Sequence, residues 1–181
     1  MDRAGTGVAR PGASKRSILF GIGGGVVFLD VATKWLVQRE LSLHEQIEVI
    51  GDVIRLTFIY NPGAAFGFYL GPYSRGIFLA LSLLALAILF GMYAFTPAKH
   101  SGRLASIALI IAGAFGNLID RVRSPRGVID FVDVGLGSAR WPVFNVADMA
   151  VTTGAVLLAL SLWRDDASSE RVTQPSGGSG D

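Results

Sequence analysis

Between Gly116 and Asp148 the chain carries Gly116-Asn117-Leu118-Ile119-Asp120-Arg121, Val128-Ile129-Asp130-Phe131-Val132-Asp133 and Phe144-Asn145-Val146-Ala147-Asp148. Four carboxylates and two amides therefore share one short connection between apolar runs. Ionisable groups beside a hydrocarbon core are costly and tend to mark function. Carboxylates gathered in one partly dry place cannot all stay ionised. One of a close pair keeps its proton, so the pair acts as general base and general acid together. That is the chemistry of an aspartic protease: one carboxylate activates water, and the other polarises the peptide carbonyl and protonates the leaving nitrogen. The other routes to peptide hydrolysis lack their residues. Cys is absent, His44 and His100 have no ligand-like spacing, and neither H-E-x-x-H nor G-x-S-x-G occurs. A cysteine nucleophile, a His-based metal site and a Ser-His-Asp triad are thus without support. Gly178-Ser179-Gly180-Asp181 has the form of another aspartyl membrane protease signature but sits in a polar tail with no apolar run around it.

The spacings sort these residues. Asn117-x-x-Asp120 and Asn145-x-x-Asp148 repeat one pattern, which puts each Asn and Asp on one helix face. The second copy also reads as a helix cap, with Asn145 as N-cap and Asp148 three residues on. The first copy does not, because Asp120 falls at a helix C-terminus, where the dipole disfavours it. Asp130 and Asp133 lie three apart in an extended stretch and point to opposite faces, so at most one can meet Asp148. Asp30 and Lys34 have the i, i+4 order of a helical ion pair, which in the plainer reading only neutralises charge at the interface. Asn61-Pro62-Gly63-Ala64-Ala65-Phe66-Gly67 reads equally as a tight turn or as backbone that approaches a ligand closely.

The elements that must position these groups are apolar. Of 181 residues, 51% are hydrophobic and 17% charged, and mean hydropathy is +0.49, which marks a membrane protein. Net charge is only +2, and no basic stripe with interleaved aromatics points to nucleic acid. Four runs are candidate spans: Ser17 to about Val37, Gly76 to Phe95, Leu104 to Ile119 and Met149 to Trp163. Runs of about 20 residues cross a core of roughly 30 Å. The last two are shorter, about 23 Å by the same rise, and draw Asp120 and Asp148 towards membrane depth. A cleaved signal peptide is the rival reading of the first run, but no small-x-small site follows it. Within that run Gly21-x-x-x-Gly25 predicts a close helix contact. Four spans place the 38–75 and 120–148 connections on one side of the membrane and both termini on the other. Arg10, Lys15 and Arg16 before the first span favour cytoplasmic termini. Ile47–Ile50 and Val53–Tyr60 about Gly51-Asp52 predict a hairpin. Residues 1–16 and 165–181 are predicted to be disordered, leaving a domain over 17–164 with the small sheet at about 45–72.

These motifs identify a resemblance. Asp30-x-x-Thr33-Lys34, Asn61-x-Gly63-Ala64-Ala65-Phe66, Gly116-Asn117-x-x-Asp120-Arg121, Val128-x-Asp130-Phe131 and Phe144-Asn145-x-Ala147-Asp148 resemble the blocks of the bacterial prolipoprotein signal peptidases, signal peptidase II, over about residues 17–163. Val31 departs from that pattern, which usually has Gln there. The resemblance implies a membrane all-α fold of four transmembrane helices with a small extracytoplasmic β-cradle. It also implies an aspartic endopeptidase of the bacterial inner membrane that removes signal peptides from diacylglyceryl-modified prolipoproteins just before the lipidated Cys. It carries the catalytic dyad onto Asp130 and Asp148, supporting roles onto Asn117, Asp120, Arg121 and Asn145, and site-lining roles onto Asp30 and Asn61. No metal or organic cofactor is implied. The partners expected are the lipid-modified substrates and the phospholipid bilayer, with no nucleic acid, and the chain is expected to act as a monomer. Two rivals stand on the residues alone. A proton-coupled transporter would need charged residues along the later spans. A four-span scaffold would use its Asp and Asn only as caps.

Overall fold

The computed structural model describes residues 14–62 and 73–165 in full and 166–173 as helix backbone. Of the tails expected to be disordered, 1–13 and 174–181 lie outside the described residues, as do the Gly63–Gly67 stretch and the Gly178–Asp181 motif, whereas Ser14 caps α1 and Lys15 and Arg16 begin it. In chain order the elements are α1 (Lys15–Glu40), β1 (Gln46–Ile50), β2 (Ile54–Asn61), α2 (Ser74–Phe95), α3 (Ser101–Arg123), β3 (Val128–Leu136), β4 (Ala139–Arg140) and α4 (Val146–Thr173). All four helices are long and apolar enough to cross a membrane, so the fold is the four-helix membrane architecture with a small antiparallel sheet.

α3 is the axis of the bundle, packed against α1, α2 and α4. Its Leu104, Ile107, Ala108 and Ile111 form the centre of a core completed by Ile18, Leu86 and Tyr93. Small residues set how closely the helices meet, as packing in lipid requires. A Cβ on Gly113 would lie 2.3 Å from the Ala147 carbonyl of α4, and one on Gly116 would lie 2.5 Å from Asp30 Oδ2 of α1. The contact predicted at Gly21 and Gly25 is not made among the described residues, where nothing lies within 4 Å of a Cβ at either position. The close approaches to α1 and α4 fall on α3, which is the helix surrounded by the others.

Both short spans extend as helix beyond their apolar runs. α3 continues through Asp120 and Arg121 to Arg123, where Ser124 N–H closes on the Asp120 carbonyl and Pro125 follows. α4 continues to Thr173, past the end of the apolar run at Trp163 and into residues whose composition predicts no order.

The sheet differs from a self-contained hairpin cradle. Its order is β1-β2-β3-β4, antiparallel throughout, so half of its strands come from the α3–α4 connection rather than from 45–72. β1 and β2 join about Gly51, at φ +46°. β2 pairs with β3 so that Ile59 faces Asp130 and Asn61 faces Val128, with a register shift between Leu56 and Ile59. Gly127 leads into β3 at φ +106°, where a Cβ would lie 2.1 Å from the Asn61 carbonyl. That conformation and that proximity both require glycine. Phe58, Ile129 and Phe131 of the sheet pack on Val37 and Leu41, and this fixes the strand that carries Asp130 to the end of α1.

Candidate active site

The site is built where β3, α3 and α4 meet. Asp130 is the third residue of β3 and is almost fully buried, whereas Asp148 lies in the first turn of α4 and is half-buried. Asn145, fully buried, stands between them. Its Nδ2 donates to Asp130 Oδ1 at 2.7 Å, and also to Asn117 Oδ1 and the Ile129 carbonyl, each at 3.1 Å. Its Oδ1 accepts from Asp148 N–H at 2.9 Å, while its own N–H donates to Asp148 Oδ2 at 3.1 Å. The last two bonds form the reciprocal cap that the spacing predicts. The cap and the carboxylate pair are therefore one construction, because the residue that starts α4 also holds Asp130.

Each carboxylate has a further amide donor. Asn61 Nδ2 donates to Asp130 Oδ2 at 3.0 Å, and Asn117 Nδ2 donates to Asp148 Oδ1 at 2.8 Å. Burial, and after it the charge of nearby Asp148, raise the Asp130 carboxyl from 3.8 to about 7, with the Asn61 and Asn145 hydrogen bonds opposing the rise. Asp130 thus keeps its proton up to about neutral pH, which is the condition for a carboxyl of such a pair to act as an acid.

Behind the amides lies a buried ionic cluster. Lys34 Nζ contacts Asp30 Oδ2 at 2.8 Å, Asp120 Oδ2 at 2.8 Å and Asn117 Oδ1 at 3.1 Å, which uses all three ammonium hydrogens. Asp30 Oδ1 accepts from Ala147 N–H at 2.9 Å, and Asp120 Oδ2 from Ile129 N–H at 3.2 Å. Asp30 is thus fully enclosed, held between α1 and the start of α4 rather than on an open wall. Asp120 pairs with Lys34 from inside the last turn of α3, and that cation offsets the unfavourable dipole. Arg121 donates to the Asn117 carbonyl at 3.2 Å and lies over the Phe78 ring of α2.

Asp133 is turned away from this group. It pairs with Arg140 at 2.6 Å and accepts a long bond from Thr57, as the opposite-face spacing predicts. Asp30, Asn61, Asn117, Asp120, Arg121, Asp130, Asn145 and Asp148 all join one network. Lys34 belongs to it as well, and its i, i+4 partner Asp30 is the only part of that role visible locally. Arg140 as the partner of Asp133 had no local signal. His44 and His100 enter none of these contacts.

Comparison with known proteins decides the family. The pattern of the A8 peptidases, described as signal peptidase (SPase) II, matches residues 22–164. The chain belongs to the signal peptidase II family. Among relatives, the lipoprotein signal peptidase of Geobacter metallireducens is 45% identical over 76% of this chain and 85% of its own length. That of Desulforapulum autotrophicum is 48% identical over 73% and 83%, and that of Syntrophus aciditrophicus is 40% identical over 82% and 94%. Two solved structures of a bacterial membrane enzyme, obtained by the in meso method, share the fold. One gives TM-score 0.76 at 29% identity over 83% of this chain and 90% of that one. The other gives 0.73 at 30% identity over 81% and 93%. Family and apolar helices together give a bacterial inner-membrane location for this signal peptidase II.

Proposed function

We propose that this signal peptidase II cuts the signal peptide from diacylglyceryl-modified prolipoproteins just before the lipidated Cys, with Asp130 and Asp148 as its catalytic pair. One observation carries the assignment: a single buried amide, Asn145, donates to Asp130 while its backbone and side chain together cap Asp148. The environments then divide the roles. Asp148 accepts a main-chain N–H in the first turn of α4, where the helix dipole favours negative charge, and so acts as the base. Asp130, raised to about 7, carries the proton.

In the first step Asp148 takes a proton from water as the oxygen attacks the scissile carbonyl carbon, and Asp130 gives its proton to the carbonyl oxygen. The resulting gem-diol collapses as one hydroxyl returns a proton to Asp130, Asp148 protonates the departing nitrogen, and the C–N bond breaks. Both carboxyls end as they began. Asn117, Asn145 and Asn61 hold the pair in place, and Lys34 with Asp30 and Asp120 holds Asn117. The sheet and the site face the extracytoplasmic side, both termini are cytoplasmic, and the chain works as a monomer without cofactor. Lipid on the substrate sets its depth, since each buried CH₂ of an acyl chain contributes about 0.8 kcal/mol.

The test uses purified protein in lipid and a lipidated prolipoprotein, with the shortened product read by mass. Asp130→Asn and Asp148→Asn each abolish cleavage, the double variant is hardly worse than either, and Asp133→Asn keeps substantial activity. An inactive Asp133→Asn beside an active Asp130→Asn moves the dyad to Asp133 and Asp148. Equal cleavage of an unlipidated substrate refutes the role of lipid.

A further inference from the structure

Lys34 also borders a cavity that the dyad does not line. It is an open groove of about 740 Å³ between α1 and the end of α3, within the size range of small-molecule sites. None of Asp130, Asn145 and Asp148 borders it. Phe28, Val31 and Trp35 of α1 and Ile119 of α3 make its apolar walls. These walls extend back from Trp35 towards the middle of the span for about 10 Å at the helical rise. Its floor is the Lys34–Asp120 pair, whose ammonium is shared with Asp30 behind it.

The mouth has the opposite character. Arg123, in the last turn of α3, and Arg126, just beyond it, are both exposed and border the groove. Arg126 donates to Tyr60 Oη at 2.9 Å and stacks on that ring at 4.0 Å, and Gln38 donates to the same oxygen at 3.0 Å. Arg126 is thus held over the mouth by neutral groups. Among the described residues no carboxylate pairs with Arg123 or Arg126; on the same side Arg39, Arg55 and Arg140 have acidic partners, whereas Arg75 and Arg121 donate to main-chain carbonyls. The 63–72 stretch contributes no acid to the sequence. Two uncompensated guanidiniums stand where a span ends, above an apolar slot that opens along the span.

We propose that this groove is a binding site for one anionic glycerophospholipid, its phosphate held between Arg123 and Arg126 and an acyl chain lying along Phe28, Val31 and Trp35. Guanidinium forks suit phosphate oxygens. The slot's depth and apolar walls call for a chain as well as a headgroup. The bound lipid would brace α1 against α3 at the level where Lys34 enters the ionic cluster.

The full-length protein in detergent is titrated with dioleoyl phosphatidylglycerol, and separately with dioleoyl phosphatidylethanolamine, and adducts are counted by native mass spectrometry. One phosphatidylglycerol is retained in preference to phosphatidylethanolamine. Arg123→Ala with Arg126→Ala weakens its binding by roughly thirty-fold, on the scale of two interfacial cations, while Arg123→Lys with Arg126→Lys retains most of it. Ala32→Phe, which fills the slot and leaves both arginines in place, also removes the adduct, and glycerol 3-phosphate does not compete. Cleavage of a lipidated prolipoprotein shows that each variant is folded. Equal retention of the two lipids overturns the proposal, as does an adduct that survives both the Ala pair and Ala32→Phe. Competition by glycerol 3-phosphate reduces the site to one for an anion alone and overturns the lipid assignment. If the Ala pair fails to fold, Ala32→Phe and the Lys pair still decide.

Discussion

Replacing Asp130 by Asn should abolish cleavage and yet, at alkaline pH, stabilise the protein. The Asp130 carboxyl is raised from 3.8 to about 7 and its side chain is almost wholly buried, so little solvent screening dilutes the effect. A raised carboxyl means that the folded state holds its proton more tightly than the unfolded chain does. The associated stability is fully present below about pH 4 and is lost as pH climbs through about 7. At about 1.4 kcal/mol per unit, the rise corresponds to about 4 kcal/mol between those limits. Asn cannot titrate, and one of its amide faces meets a donor from Asn61 or Asn145, which costs about 1–3 kcal/mol at every pH. The pH-independent cost and the pH-dependent gain are therefore separable. Graded SDS unfolding of both proteins in mixed micelles, from pH 4 to pH 8.5, should show the variant gaining on the wild type by about 4 kcal/mol, most of it between pH 5 and pH 7. A difference between the two proteins that does not change with pH would refute the assignment of a buried, proton-bearing Asp130.

Other outcomes follow from the same geometry. The same titration makes kcat/KM fall as pH rises through about 7, because Asp130 then loses the proton it must donate; a rate that keeps climbing to pH 9 contradicts that role. Lys34→Met leaves Asp30 and Asp120 buried without their cation and should cost about 3–5 kcal/mol in SDS unfolding, with cleavage lost as Asn117 is released. Unchanged stability would show that the cluster can reorganise. Gly116→Ala drives a Cβ to 2.5 Å from Asp30 Oδ2, which Lys34 and Ala147 hold in place, and should cost about 1–3 kcal/mol. Gly21→Ala meets nothing within 4 Å and should gain about 0.5–1 kcal/mol.

What could be read from the sequence was local. Length and hydropathy marked the four spans, Gly51-Asp52 marked the first hairpin, and the three-residue spacing of Asn145 and Asp148 marked a cap. Alternation separated Asp130 from Asp133, because side-chain direction in a strand depends only on neighbouring residues. Long-range pairings left no such trace. Nothing near Val128 states that it will lie beside Asn61, and nothing near Arg140 states that it will reach Asp133. Lys34 illustrates the same limit: its i, i+4 partner Asp30 was visible, whereas Asn117 and Asp120 arrive from a helix more than eighty positions away. The spacing of Gly21 and Gly25 misled because a small-residue pair marks a surface able to pack closely, and only the position of α3 decides which surface is used.

With Asp130 and Asp148 as the proposed catalytic pair, the double duty of Asn145 makes catalytic competence a late event in the life of the chain. Asp130 draws its hydrogen-bond donors from β2 and from the residue that opens α4, and Asp148 draws one of its donors from α3. A nascent chain that has inserted three helices therefore has both strands and the ionic residues but no paired carboxylates. Its Asp130 lacks the neighbour and the enclosure that retain its proton. On that assignment, peptide-bond cleavage becomes available only when the final span enters the membrane and docks against α3. An unfinished copy would on the same assignment have no assembled pair with which to cut a peptide bond.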